Sequence, residues 1–214
     1  MKSYITTNSI LLLCENGNDQ DAFMLIRTLF ELLITTAYIF KEDAESRVAQ
    51  YNEYDWVLRH KMVSSVSKGK NILSKELLQD MSQNAGIDLE EIRQKSKKVT
   101  ESYSCDDAET WSKKSIFQMA KEVGLESLYN SLYALGSQLI HSASRSANEY
   151  IKENNGEMEL ITYPSDIYID ESLVGSFMCF HHVIRQLDEV FNLGLSDALS
   201  ELEKRELEVT QMKN

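Results

Sequence analysis

The sequence predicts an all-α fold: a multi-helix bundle with at most one short β-hairpin or extended lid near residues 158–169. The 214 residues contain one proline and eight glycines, too few for the many tight turns that sheets require. Apolar residues recur every three or four positions along most of the chain, which is the spacing of amphipathic helices. Because nothing in the composition marks a break, we expect a single helical domain over residues 1–214.

The chain is organised around residues 18–40, NDQDAFMLIRTLFELLITTAYIF. This stretch predicts one helix that is apolar on nearly every side, and such a helix belongs at the centre of a bundle. Arg27 and Glu31 interrupt it, four residues apart, and unpaired charge is costly to bury. We therefore expect both side chains to find partners in a buried polar cluster. A first helix over residues 3–13, ended by Gly17, precedes the central one.

The elements that follow the central helix carry weaker apolar patterns. Residues 41–70 predict a long amphipathic helix on the flank of the bundle. Segments 74–85 and 88–98 predict short helices, and 99–107 has no period and predicts a loop. We expect residues 72–107 to form a peripheral helical insertion. The apolar side of the predicted flank helix comprises Val48, Tyr51, Tyr54 or Asp55, Leu58 and Met62.

A strong helical pattern returns at Trp111. It predicts a short helix to about Val123, a break at Gly124 and a long helix from Glu126 to beyond Ser142.

The long helix carries a polar stripe. Tyr133, Ser137 and His141 follow one another at steps of four, and each step advances only about 40° round a helix, so the three side chains share one face. Gly136 is small enough to let another helix approach closely. We expect this helix to pack directly against the one that carries Arg27.

Two further helices are predicted near the end of the chain. A last core helix begins at Asp170 or Ser172 and ends at Gly194. Residues 195–214 then predict an acidic, amphipathic tail helix, which could dock on the same chain or form a homodimer with a second copy. Its narrow apolar stripe comprises Leu195, Leu199 and Leu202.

Two strings give the chain a resemblance to a known family. They are DAFMLIRTLFELLI in the central helix and W-x4-I-x3-A-x3-G-x4-Y-x3-Y-x3-S-x3-H from Trp111 to His141. Together they resemble a bacterial family known as domain of unknown function 5677 (DUF5677), over residues 5–40 and 111–168. The resemblance implies a helical fold and no particular activity. The polar positions that match are Arg27, Glu31, Tyr133, Ser137 and His141.

These polar residues are the candidate site. His141, Arg27 and Glu31 are the catalytic candidates. The candidates for ligand binding are Tyr133, Ser137 and Arg145. In one interpretation, the buried polar groups fix the packing of neighbouring helices. In the other, Arg27 binds an anionic group and the imidazole of His141, whose ordinary pKa lies near neutrality, acts as acid or base.

Two classes of function follow from these interpretations. The sequence favours an interaction or scaffold protein, whose partner would be an unknown protein. The alternative is a small enzyme or a nucleotide- or anion-binding module that takes a small anionic ligand. A metal-independent ribonuclease of the HEPN kind is one form of that alternative, but its R-x4-6-H motif is absent, because His141 precedes Arg145.

Composition excludes several other classes. The formal charge of -12 argues against extensive nucleic-acid binding and against an anionic membrane surface, both of which need basic protein surfaces. The longest apolar run, 32–40, is shorter than the ~20 residues that span a bilayer, so we expect no membrane span. Cys14, Cys105 and Cys179 lack the spacing of a disulfide framework, which favours reduced thiols and a cytoplasmic protein.

The sequence predicts neither a metal site nor a cofactor. Cys179 and His182 stand at a usable ligand spacing, but no second pair with zinc-like spacing accompanies them. Glycine-rich nucleotide loops, zincin motifs and the hydrolase elbow are absent from the sequence.

Overall fold

The computed structural model describes residues 1–69, 76–77, 79, 88–103, 110–140, 150–154, 156–161 and 165–212. The predicted all-α class is confirmed: helices dominate these residues, beside one two-stranded antiparallel sheet. The helices are α1 (Lys2–Glu15), α2 (Asp19–Lys41), α3 (Ala44–Glu53), α4 (Asp55–Lys68), α5 (Leu89–Tyr103), α6 (Ile116–Glu122), α7 (Glu126–Leu128), a π-helical turn (Tyr129–Tyr133), α8 (Ala134–Ile140), α9 (Ile169–Phe191) and α10 (Ser196–Met212). The strands are β1 (Ile151–Asn154) and β2 (Glu157–Leu160).

The chain forms two compact units. The first comprises Met1–Lys41 and Ile116–Asn214, and the second comprises Glu42–Ser115. The second unit is thus inserted between α2 and α6, and it begins well before the insertion predicted at 72–107. The single-domain organisation stays a prediction.

Helix α2 is the core of the first unit, as its sequence predicts. It packs against α1, α6, α8, α9 and the π-helical turn. Small residues allow these approaches: a Cβ at Gly175 of α9 would lie 3.1 Å from Ile26 Cδ1, and one at Gly136 of α8 would lie 3.5 Å from Arg27 Cβ. The buried α2 side chains include Phe23, Ile26, Leu29, Phe30, Leu33 and Ile34.

By length and composition, α2 could also cross a membrane, although its longest unbroken apolar run is short. The core helix of a soluble protein passes the same test, and here α1, α8 and α9 all pack on α2. The expected absence of a membrane span stays a prediction.

The junction of α1 and α2 is held by the segment that leads into α9. Gly17 ends α1 with a φ of 70°, as predicted. Its carbonyl accepts a hydrogen bond from the Ser165 amide at 3.1 Å. The carboxylate of the buried Asp19 accepts one from the Tyr168 amide at 3.0 Å. The start of α2 is therefore tied to a segment almost 150 residues away in sequence.

The hairpin lies slightly earlier than predicted. Strands β1 and β2 pair antiparallel over residues 151–160, and Gly156 takes a positive φ of 85° between them. The alternating pattern in the sequence corresponds to β2. Its partner β1 was not predicted, because IKEN carries no clear alternation of apolar and polar residues.

The tail helix folds back onto its own chain. Asn192 and Gly194 turn the backbone with positive φ. Asp188 of α9 then accepts hydrogen bonds from the Leu195 amide at 2.9 Å and the Ser196 hydroxyl at 2.8 Å. Leu199 is buried against α9, whereas Leu202 remains exposed. One side of the predicted stripe therefore docks intramolecularly, and self-association through the tail stays a prediction.

The second unit corrects two details of the sequence interpretation. The predicted flank helix divides at Tyr54 into α3 and α4, and α4 packs against α5. The buried positions are Tyr54, Val57 and Val63, whereas the predicted stripe is exposed at Val48, Tyr51, Leu58 and Met62.

Helix α5 also runs on to Tyr103, through the first part of the predicted loop, because Val99 is buried. Most of the short helix predicted at 74–85 lies outside the described residues.

Candidate functional site

Arg27 is the centre of the polar cluster. It stands one turn before Glu31 on α2, and its Nε donates a hydrogen bond to Glu31 Oε1 at 3.1 Å. Its Nη2 donates a second hydrogen bond to the Tyr133 hydroxyl at 2.9 Å. The guanidinium carbon also lies 4.6 Å from the centroid of the Tyr133 ring. One cation therefore links two turns of α2 to the π-helical turn.

The cluster is half-buried, whereas the sequence predicted a buried one. The side chains of Arg27 and Glu31 are 22% and 41% exposed. Arg27 faces α8 and the π-helical turn. The neighbouring residue Ile26 instead packs closely against Gly175 of α9. Water therefore reaches the ion pair, and its net contribution to stability is smaller than that of a sealed pair.

The π-helical turn sets the position of Tyr133. Such turns insert an extra residue into a helix and often occur at functional sites. The Ser137 hydroxyl donates to the Tyr133 carbonyl at 2.8 Å, so it supports the backbone of its own helix one turn back. Ser137 was predicted to share a face with Tyr133, but this hydrogen bond joins it to its own helix and not to Arg27.

An aromatic layer holds the Tyr133 ring. Tyr129 stacks on it with centroids 4.6 Å apart, and Phe30 lies 5.9 Å away. Phe117 packs on Tyr129 in an edge-to-face arrangement at 5.1 Å. Rings at these separations attract one another, so the phenol is presented to Arg27 on a rigid support.

The pKa values in the cluster keep both groups in their ordinary ionisation states. Partial burial by itself lowers the pKa of Arg27, but the charges and hydrogen bonds of Tyr133 and Glu31 outweigh it, and the pKa is raised. Burial, and then the negative charge of Glu31, raises the pKa of Tyr133 despite the opposing effect of Arg27. At neutral pH the cluster therefore holds a guanidinium and a neutral phenol.

The structure brings three of the six predicted site residues into direct contact: Arg27, Glu31 and Tyr133. As predicted, α2 packs directly on α8, which is the described part of the helix that the sequence predicts to reach His141. His141 and Arg145 lie outside the described residues. The functional roles of all six residues stay predictions.

The pair considered as metal ligands is chemically poor for that purpose. Burial raises the pKa of the Cys179 thiol to about 12, and metals bind the thiolate form. Burial, with the charges of His181 and Arg185, lowers the pKa of His182, which keeps its imidazole in the neutral form that metals bind. The weakness of the pair therefore lies in the thiol of Cys179.

His181 is a buried polar residue whose role the sequence did not predict. Its Nε2 lies 3.2 Å from the Leu199 carbonyl oxygen, and the nearby Arg185 binds Glu203 at 2.7 Å. These contacts hold the tail helix. The spacing of His181 and Arg185, four residues apart and so on one face of the helix, is the sequence feature that could have indicated these contacts.

Comparison with known proteins gives a family and nothing more specific. A family model described as "Family of unknown function (DUF5677)" matches residues 1–158. No curated protein matches the chain. No solved structure matches it either.

Proposed function

We propose that the chain, which belongs to the family of unknown function DUF5677, is an interaction protein that associates with a second copy of itself through the outward face of α1. The observation that carries this proposal is that α1 is apolar on two opposite sides while the fold covers one of them. Ile10 and Cys14 are buried on the inner side, where α1 contacts α2 and α9.

The outward side of α1 carries an apolar stripe that Asn8 interrupts at its middle. Ile5 and Leu12 stand seven residues apart, as do Tyr4 and Leu11, so the four side chains form two parallel rows. They are between 41% and 61% exposed. A helix with apolar side chains all round normally lies inside a protein, and contiguous exposed apolar surface marks interaction sites. This stripe therefore supports an interface on α1.

Charge favours a second copy as the partner. The chain carries a formal charge of -12, so two copies repel each other over most of their surface. Between Lys2 and Glu15, however, α1 carries no charged residue. In an antiparallel pair, Lys2 and the positive end of one helix dipole lie beside Glu15 and the negative end of the other. A two-fold pair of this kind is also the commonest form of homo-oligomer.

The alternative of an anion-binding site or small enzyme draws less support from the geometry. The guanidinium of Arg27 is already bonded to the carboxylate of Glu31 and to the phenol of Tyr133. Its charge is therefore largely compensated, and an incoming anion would have to compete with Glu31. The cluster instead serves to fix the π-helical turn against α2.

Light scattering coupled to size-exclusion chromatography tests the proposal. The parent protein should show a dimer mass that falls to the monomer mass on dilution. Leu12→Glu should give the monomer mass at every concentration, because it places a charge in the stripe. Leu160→Glu is the matched control, since it makes the same change on β2 at a leucine that is 70% exposed, and it should leave the dimer intact.

Two further variants test the partner and the surface. Lys2→Glu should weaken the dimer, and the double variant Lys2→Glu/Glu15→Lys should restore it, because an antiparallel pair exchanges these two ends. A monomeric parent protein would overturn the proposal. Loss of the dimer in the tail variant Val209→Glu, with Leu12→Glu unaffected, would assign the interface to the tail helix instead.

A further inference from the structure

The second unit contains a cavity that the interaction proposal does not use. The cavity has a volume of about 600 Å³, within the range of about 300–1,000 Å³ that is usual for small-molecule sites. It lies among α3, α4 and the segment at Trp111. Its walls combine aromatic and aliphatic side chains with one ammonium group, Lys61, and one carboxylate, Asp55.

Two aromatic rings form an apolar corner of this cavity. Tyr51 meets Trp111 edge to face, with ring centroids 5.3 Å apart and planes at 89°. Trp111 is buried, whereas Tyr51 and Leu58 are exposed although they line the cavity. A flat apolar group placed in the corner would cover these two side chains and would contact ring faces on which planar groups stack well.

The ammonium of Lys61 is fixed at the wall of the cavity. Its Nζ donates a hydrogen bond to the Tyr54 hydroxyl at 3.1 Å and lies 5.5 Å from the centroid of the same ring. An ammonium has three hydrogens to donate, so the bond to Tyr54 orients the group and still allows a ligand to accept a hydrogen bond.

The two charges of the cavity differ in how they are compensated. Asp55 accepts a hydrogen bond from Arg59 Nε one turn along α4. Within the ranges of the chain that the structure describes, Lys61 makes no ion pair with a carboxylate. Among the described residues that line the cavity, the ammonium of Lys61 is therefore the charge that no carboxylate pairs with, in a protein whose overall charge is -12.

We infer that this cavity binds a small organic acid with a flat apolar body, such as an arylalkanoate. The carboxylate pairs with Lys61, which gives a short, charge-assisted hydrogen bond. The flat body lies in the corner of Tyr51 and Trp111 and covers Leu58. Asp55, already bound by Arg59, lines the wall without a free charge to repel the acid.

Nuclear magnetic resonance of the intact protein tests this assignment. The protein has two tryptophans, and each gives its own indole N–H signal. The probes are 3-phenylpropanoate, 3-phenylpropanol and 3-phenylpropylamine, which share one apolar body and carry a negative, a neutral and a positive group. The acid should shift the Trp111 signal saturably and leave Trp56 unchanged. It should bind about tenfold more tightly than the alcohol, the effect of one charge-assisted hydrogen bond, and the amine should bind most weakly.

Two substitutions separate recognition from a merely structural effect. Lys61→Met should abolish the preference for the acid while the alcohol binds as before, because the methionine keeps the apolar stem. Lys95→Met is the matched control, because Lys95 lies over the ring of the other tryptophan, Trp56, with its Nζ 4.0 Å from the ring centroid. This substitution should leave all three affinities unchanged. Equal affinities for the three probes, a preference that survives Lys61→Met, or no saturable shift of Trp111 would each overturn the assignment.

Discussion

Replacing Arg27 by methionine measures how strongly the polar cluster ties α2 to the π-helical turn. Methionine keeps an unbranched apolar stem against Gly136 and removes the two hydrogen bonds of the guanidinium. A hydrogen bond to a charged group contributes about 1.5–3 kcal/mol net, and the value near the lower end applies here because the Arg27 side chain is 22% exposed. The half-exposed ion pair with Glu31 adds about 0.3–0.5 kcal/mol. We therefore expect Arg27→Met to lower the free energy of unfolding by about 2 kcal/mol.

The companion variants separate the two contacts. Glu31→Gln removes only the charge of the more exposed partner and should cost about 0.5 kcal/mol. The double variant Arg27→Met/Glu31→Gln should cost little more than Arg27→Met alone, because both single changes break the same ion pair.

Urea unfolding provides the measurement, with far-ultraviolet circular dichroism as the probe of helix. Both tryptophans, Trp56 and Trp111, belong to the unit of residues 42–115, so tryptophan fluorescence follows the other unit and serves as an internal control. A loss of about 4 kcal/mol or more for Arg27→Met would mean that the pair is sealed from water. Unchanged stability in both single variants would mean that the cluster ties nothing together.

Two further predictions concern the glycines in the core and one histidine. Gly136→Ala should raise the free energy of unfolding by up to about 1 kcal/mol through helix propensity, because the new Cβ would meet Arg27 Cβ at an ordinary 3.5 Å. Gly175→Ala should gain less or destabilise, since its Cβ would crowd side chains at 3.1 and 3.2 Å, and overpacking is destabilising. Urea unfolding compares the free energies of unfolding of the two variants, and a larger gain for Gly175→Ala would contradict the packing. Burial lowers the pKa of His182 below its ordinary 6.5, so the unfolded chain takes up the proton first. The contribution of neutral His182 to the free energy of unfolding should therefore be fully present above pH 6.5 and be lost as the pH drops through the lowered pKa. Melting temperatures measured over this pH range would refute this if they change with pH equally in the parent protein and in His182→Gln.

The fold of the first unit could be predicted from sequence because its signals are local. The apolar surface of α2 forces it into the core, and Gly17 breaks the chain where α1 ends. Arg27 and Glu31 had to find partners, and the steps of four residues placed Tyr133 on one predicted face with Ser137 and His141 without singling it out. Each of these inferences depends on helix periodicity or on the cost of burying charge.

Other features depend on tertiary context that periodicity does not carry. The π-helical turn shifts the register of the helix by one residue, and no pattern in its sequence, YNSLY, predicts such a turn. In α4, two apolar stripes compete, and packing against α5 buries the one with Val57 and Val63 while Leu58 and Met62 stay outside. The degree of burial of Arg27 likewise follows from how far α8 covers α2, which the sequence does not specify.

Disulfide cross-linking at the middle of α1 tests the proposed self-association most directly. Asn8 lies between Ile5 and Leu12 on the outward stripe, so in a two-fold pair it faces its own copy. Helices packed about 8–10 Å apart bring such central residues close enough to link. Asn8→Cys should form a covalent dimer under mild oxidation, whereas Ser9→Cys, about 100° away round the helix, and the parent protein should not. A monomeric Asn8→Cys protein, or equal cross-linking at Ser9, would contradict the interface on α1.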